Sequence, residues 1–144
     1  MHVQNHSILT AKGLLSASAK ARLCPNDLPA GIAGEMRETL ELLLLAQIQG
    51  SWINGAKAER IPNTSSVTIP GVDVDALLLS MPEIMLGVGS ACTTGALEPS
   101  HVLQAIGLNR EDAASTIRFS LGRFNLASEI PFVVDRIVRA VHSS

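Results

Sequence analysis

The chain has 144 residues, with 13 acidic against 11 basic side chains, a formal net charge of −2, 47% hydrophobic residues and 17% charged ones. That length and apolar content suit a single folded domain burying roughly two-thirds of its unfolded surface, and exclude a disordered chain. Aromatics are 3%, with no tyrosine, and the near-neutral charge with so few rings leaves neither a phosphate-binding field nor a base-stacking platform for nucleic acid.

Residues 1–29 read as a separate N-terminal segment, weakly ordered or docking, and residues 30–144 as the domain. Met1 to Lys20 is rich in Ala, Ser and Leu, and Pro25 and Pro29 break any helix. The start, Met1-His2-Val3-Gln4-Asn5-His6, lacks the basic and apolar regions of a secretory signal. A cytoplasmic protein with free thiols is the expectation.

From Ala30 to Gln49 the spacing predicts a helix with Ile32, Met36, Leu40, Leu43, Leu44 and Ile48 on one stripe. Leu42 and Leu45 widen that stripe, which fits burial on two sides of one core better than an oligomer contact, though both readings stay open. The longest apolar run, Leu42 to Ala46, falls far short of the ~20 residues of a membrane helix. No membrane partner is expected.

Asn54-Gly55 marks a turn. Val67 and Ile69 alternate with Ser66 and Thr68 as a strand, closed by Pro70-Gly71. Asp73 suits the N-cap of a short helix carrying Val74, Leu77 and Leu78. Ile84 to Val88 is a second strand leading into a Gly-Ser-Ala-Cys loop. A helix then starts at Pro99, shows Val102, Leu103 and Ile106 on its apolar side, and ends at Gly107.

Thr116 to Leu121 reads as a third strand, with Ile117, Phe119 and Leu121 on one face and Arg118 and Ser120 on the other. The last helix has Ser128 as N-cap, Glu129 in its first turn and a stripe of Ile130, Val133, Val134, Ile137, Val138 and Val141. The fold class is α/β (α+β), a small three- to four-stranded sheet covered by helices. A sheet this small wants a cover on its second face that the chain does not itself supply.

The chemistry centres on Gly87 to Ser100, where Cys92 stands among small and hydroxyl-bearing residues such as Ser90, Thr93 and Thr94. Such surroundings favour an accessible thiol over a core one. Gly89 and Gly95 would let the segment swing, as a thiol passing sulfur between partners requires. From these residues alone, a reactive thiol and an inert free cysteine are both open.

Gly89 to Ser100, then His101-Val102-Leu103, then Ile117 to Phe124 resemble the C-terminal region of cysteine desulfurases, the class V aminotransferase-fold enzymes that depend on pyridoxal phosphate. Pro62-Asn63-Thr64, Val67-Thr68-Ile69 and Pro70 to Asp73 are similar to the family's preceding strand and turn, so the resemblance runs from about Gly31 onward. It implies that Cys92 is the catalytic cysteine, whose thiolate becomes a persulfide, and that Arg118 holds the substrate's α-carboxylate. A planar guanidinium suits that bidentate pairing. Ser90, Thr93, His101 and Arg123 are supporting candidates. Ser66 stands where the family often has asparagine.

The resemblance does not extend to the family's large domain, which carries the Schiff-base lysine and the cofactor pocket. The lysines here are Lys12, Lys20 and Lys57, and His6 to Lys12 does not reproduce the Schiff-base segment. The expectation is a truncated desulfurase-like protein that has no desulfurase activity alone and uses Cys92 as a persulfide-carrying or sulfur-relay thiol. Pyridoxal phosphate is expected only if a separate chain supplies the large domain. A non-catalytic module that dimerises or docks on desulfurase or iron–sulfur assembly machinery is the alternative. Thiolate ligation of an iron–sulfur cluster ranks below both, since Cys24 and Cys92 offer no ligand spacing. Expected partners are a second copy of the chain, a full-length desulfurase or a sulfur acceptor.

Overall fold

A computed structural model describes residues 28–88 and 100–143. The N-terminal segment 1–27 and the stretch 89–99 lie outside the described residues, and with them Cys24, Ser90, Cys92, Thr93 and Pro99.

Helix α1 spans Ala30–Gln47 and buries Ala33, Met36, Leu40 and Leu44. This spacing of three and four residues presents one face to the core. Leu43 is partly buried beside them. Ile32, Leu42 and Leu45 are exposed, so among the described residues the helix is buried on one side. The core formed by the described residues lies on one side of α1, and Leu42 is not part of it. Glu41, by contrast, is buried and bound by Arg60 and Ser65.

Strand β1, Trp52–Ile53, leads through the Asn54-Gly55 turn, where Gly55 takes φ 70, towards strand β2, Thr64–Thr68. A left-handed φ favours glycine at that turn. Asp73 caps helix α2, Val74–Ser80, accepting the Ala76 N–H at 3.1 Å. Strand β3 is shorter than expected, Gly87–Val88, because Ile84 is engaged in a turn with Met81.

Helix α3 is His101–Ala105, and Gly107 with φ 102 ends it. Only Leu103 of its predicted apolar side is buried, while Val102 and Ile106 are exposed. An unpredicted helix α4, Arg110–Ala114, is capped by Asn109, whose Oδ1 accepts the Asp112 N–H at 2.8 Å. Strand β4 is Thr116–Ser120.

A short 3-10 turn, Ala127–Glu129, opens onto helix α5, Ile130–His142. Ser128 is inside that turn and does not cap it. Glu129 does so instead, its Oε2 accepting the Leu126 N–H at 2.9 Å. The predicted α5 stripe holds: Ile130, Val133, Val134 and Ile137 are buried, with Val138 and Val141 packed at the margin.

The sheet has four strands in the order β1-β2-β4-β3, every neighbouring pair antiparallel. Val67, Ile117 and Phe119 project from one face, joined by Ile69 and Leu121, into a core closed by α1, α2 and α5. This is the small α+β layer that the periodicity predicts. The alternation along β4 puts Thr116, Arg118 and Ser120 on the opposite face with Ser66 and Thr68 of β2. That second face is polar, and α3 covers part of it.

Candidate functional site

Arg118 stands at the centre of β4, with Ser66 opposite it on β2 and Gly87 opposite it on β3. A serine and a glycine as neighbours leave space beside a long side chain. Arg118 lines a cavity of about 240 Å³ whose sheet wall is made by Asn54, Ser66 and Thr116. The facing wall comes from α3, with Val102, Leu103 and Ile106, and Ser100 stands at its start.

The sheet wall is held by one hydrogen-bonded group. Asn54 is buried, and its Nδ2 donates to Ser66 Oγ at 3.1 Å and Thr68 Oγ1 at 2.9 Å. Its Oδ1 accepts the Trp52 indole N–H at 3.0 Å, and its backbone N–H is bound to the Ser66 carbonyl. Thr68 and Thr116 lie 2.7 Å apart, and Thr116 donates onward to the Asp112 carbonyl. The turn residue Asn54 therefore ties β1, β2 and β4 together beneath the cavity.

Arg118 lacks a comparable partner. Its Nε is buried without a hydrogen bond, and among the described residues no carboxylate pairs with it. The buried Ser120 Oγ, two positions along the same face, is also unsatisfied. Arg37, Arg60, Arg136 and Arg139 all have acidic partners. A half-buried guanidinium without a counter-ion is costly, and its fork is suited to an incoming carboxylate or other small anion. No acidic side chain lines the cavity among the described residues.

The other expected site residues are not gathered around it. His101 is exposed at the first position of α3 and does not line the cavity. Arg123 is exposed beyond β4, its guanidinium 4.6 Å over the Phe124 ring. Cys92, Ser90 and Thr93 fall between β3 and α3 in the chain and outside the described residues. Asn54 and Thr116 carry no site role in the sequence reading. Asn54 was visible there only as half of a turn dipeptide, and Thr116 only as the first residue of a strand.

No protein-family model matches the chain. Cysteine desulfurase IscS of Shewanella baltica is 36% identical over 129 residues, covering 90% of this chain and 31% of that protein. IscS of Edwardsiella ictaluri is 39% identical over 97 residues, 67% of this chain and 24% of that protein. The mitosomal cysteine desulfurase of Encephalitozoon cuniculi is 41% identical over 107 residues, 74% of this chain and 24% of its own length. The chain is homologous to a fragment of the cysteine desulfurases.

The desulfurase-like fold is matched in solved structures as well. A NifS-like protein from Rickettsia africae aligns with a TM-score of 0.65 at 28% identity, covering 76% of this chain and 28% of that one. A second NifS-like protein aligns with a TM-score of 0.64 at 26% identity, covering 80% of this chain and 28% of that one. The chain spans between 24% and 31% of the length of the curated relatives named above.

The cofactor that the desulfurase resemblance implies, pyridoxal phosphate, needs a lysine for its Schiff base and a partner for its ring nitrogen. Among the described residues the cavity beside Arg118 is lined by neither a lysine nor an acid, and Lys57 is exposed outside it. These residues do not fit the cofactor by themselves. No group of His, Cys, Asp and Glu among the described residues is placed to hold a metal ion. No helix among them is long and apolar enough to cross a membrane.

Proposed function

We propose that this desulfurase-like domain handles sulfur as a persulfide on Cys92, with Arg118 receiving the carboxylate of a small sulfur-bearing molecule. The observation that carries this reading is the Arg118 guanidinium, unpaired among the described residues and with its buried Nε unsatisfied, on the wall of a cavity large enough for an amino acid. The homology to cysteine desulfurases over most of the chain supports it. So does the position of Cys92 in sequence between β3, which pairs with Arg118, and α3, which covers the cavity.

The sulfur step needs no external oxidant. The Cys92 thiolate attacks the terminal sulfur of a persulfide donor R–S–SH. The donor's S–S bond breaks, its electron pair leaves on R–S⁻, and the new bond makes Cys92 the persulfide. Releasing sulfur from cysteine itself requires an electron sink that the described residues do not provide, so that step is assigned to another desulfurase. Cyanide-labile sulfur measured after incubation with cysteine persulfide tests the reading. Loading is expected in the natural protein, is lost in Cys92→Ser, and slows in Arg118→Gln. With inorganic polysulfide, which has no carboxylate, Arg118→Gln is expected to load normally. Equal loading of Cys92→Ser would overturn the assignment.

A second reading, docking or self-association through α1, is favoured by one observation. Leu42 is 68% exposed on the side of the helix opposite the core, with Leu45 beside it. The two readings are compatible, since the cavity lies across the sheet from α1.

A further inference from the structure

The hydrogen bonds beneath the cavity have determined directions, and following them isolates one free donor. An indole N–H only donates, so the Trp52 contact at 3.0 Å fixes Asn54 Oδ1 as acceptor and with it the orientation of the amide. Both hydrogens of Asn54 Nδ2 are then used, at 3.1 Å to Ser66 Oγ and 2.9 Å to Thr68 Oγ1. Thr116 gives its hydrogen to the Asp112 carbonyl at 2.7 Å, so Thr116 must accept in its 2.7 Å contact with Thr68. Ser66 is the member left over. Its oxygen accepts from Asn54, and among the described residues its own hydrogen has no acceptor.

That hydroxyl is on the cavity wall, directly across the ladder from Arg118. The two residues together offer the cavity one positive charge, from the Arg118 guanidinium, and one unclaimed donor, the Ser66 O–H, while the Arg118 Nε is buried without a partner. No acid lines the cavity among the described residues, and the Asn54 oxygen is turned to the Trp52 indole N–H. The arrangement selects an anion. The apolar wall of Val102, Leu103 and Ile106 suits a carboxylate borne on a short carbon chain rather than a fully hydrated inorganic ion.

We propose that Ser66 is a specificity-determining residue of this cavity, donating its O–H to a ligand carboxylate that Arg118 holds by charge. The proposal rests on the reading of Arg118 as a carboxylate receptor and adds the donor that orients the ligand.

Propionate is a suitable probe for the full chain, and the readout is built in. The chain has one tryptophan, whose indole N–H is bonded to Asn54, so a single indole resonance reports on the wall during an NMR titration. Propionate is expected to shift it saturably, and 1-propanol is expected to leave it unchanged. Ser66→Ala should weaken propionate roughly tenfold or more, the usual worth of a hydrogen bond to a charged group. Ser66→Thr, which restores the hydroxyl, should recover most of the affinity, and Arg118→Gln should abolish binding. If Ser66→Ala fails to fold, Ser66→Cys keeps the size with a weaker donor and reads the same loss. Unchanged affinity in Ser66→Ala, with binding lost in Arg118→Gln, overturns the Ser66 assignment alone. No binding by the natural protein overturns the Arg118 reading with it, and phosphate or 1-propanol binding as tightly as propionate overturns the carboxylate assignment.

Discussion

Glu41 offers a sharp test of how the fold is held, because a charged residue on the core-facing side of a helix must be compensated. Its carboxylate accepts from Ser65 Oγ at 2.6 Å and from Arg60 at 2.6 and 3.3 Å, with Arg37 Nε at 3.7 Å. These contacts fasten the segment before β2, and β2 itself, to α1. Glu41→Ala removes a charge-assisted bond from Ser65, which is 2% exposed and whose hydroxyl donates to no other group among the described residues, and that alone costs about 1–3 kcal/mol. It also strips the partner from Arg60, whose side chain is 20% exposed. Removing one member of a buried pair costs about 3–5 kcal/mol, and partial exposure of Arg60 moves the total to the lower end, about 3 kcal/mol. Urea unfolding followed by circular dichroism reads this as a lower midpoint at unchanged slope. Arg60→Ala should cost less, and the double variant should fall well short of the sum of the two. A loss below about 1 kcal/mol for Glu41→Ala, or strict additivity in the cycle, would refute the argument.

Other outcomes follow from the same packing. Phe119→Ala, at 1% exposed the largest fully buried side chain, should lose about 3–5 kcal/mol by urea unfolding. Asp73→Ala removes the acceptor at the start of α2 and should lose about 1 kcal/mol, with Asp73→Asn close to neutral. If the exposed Leu42 and Leu45 form a contact between copies, the protein self-associates in sedimentation and Leu42→Glu is monomeric. A monomeric natural protein would contradict self-association through α1.

Much of the fold was legible because period governs burial. The spacing along α5 placed Ile130, Val133, Val134 and Ile137 in the core, and alternation along β4 separated Ile117 and Phe119 from Arg118. Two short elements left too little pattern to read. The pair Trp52–Ile53 is a strand only because β2 supplies its partner, and α4 is a single capped turn or so. On α1, six leucines and isoleucines at overlapping spacings made the stripe wider than the face that is used. Composition does not say which side meets a sheet.

The site was legible in part for the same reason. Arg118 stood out through its surrounding motif, and the structure adds that, among the described residues, it is unpaired beside a cavity. Asn54 was hidden because its partners, Ser66 and Thr68, are distant in sequence and its turn role was sufficient explanation for it. A hydroxyl network assembled across three strands leaves no local pattern. The same holds for the orphaned Nε of Arg118, which depends on what its neighbours fail to supply.

The central claim is that this domain carries sulfur on Cys92, and intact-mass spectrometry tests it most directly. The full chain is incubated with a separate cysteine desulfurase, its cofactor and cysteine, then weighed without reductant. The expected result is the gain of one sulfur atom, mapped by peptide analysis to Cys92 and absent from Cys92→Ser. No gain, or a gain confined to Cys24, would contradict it.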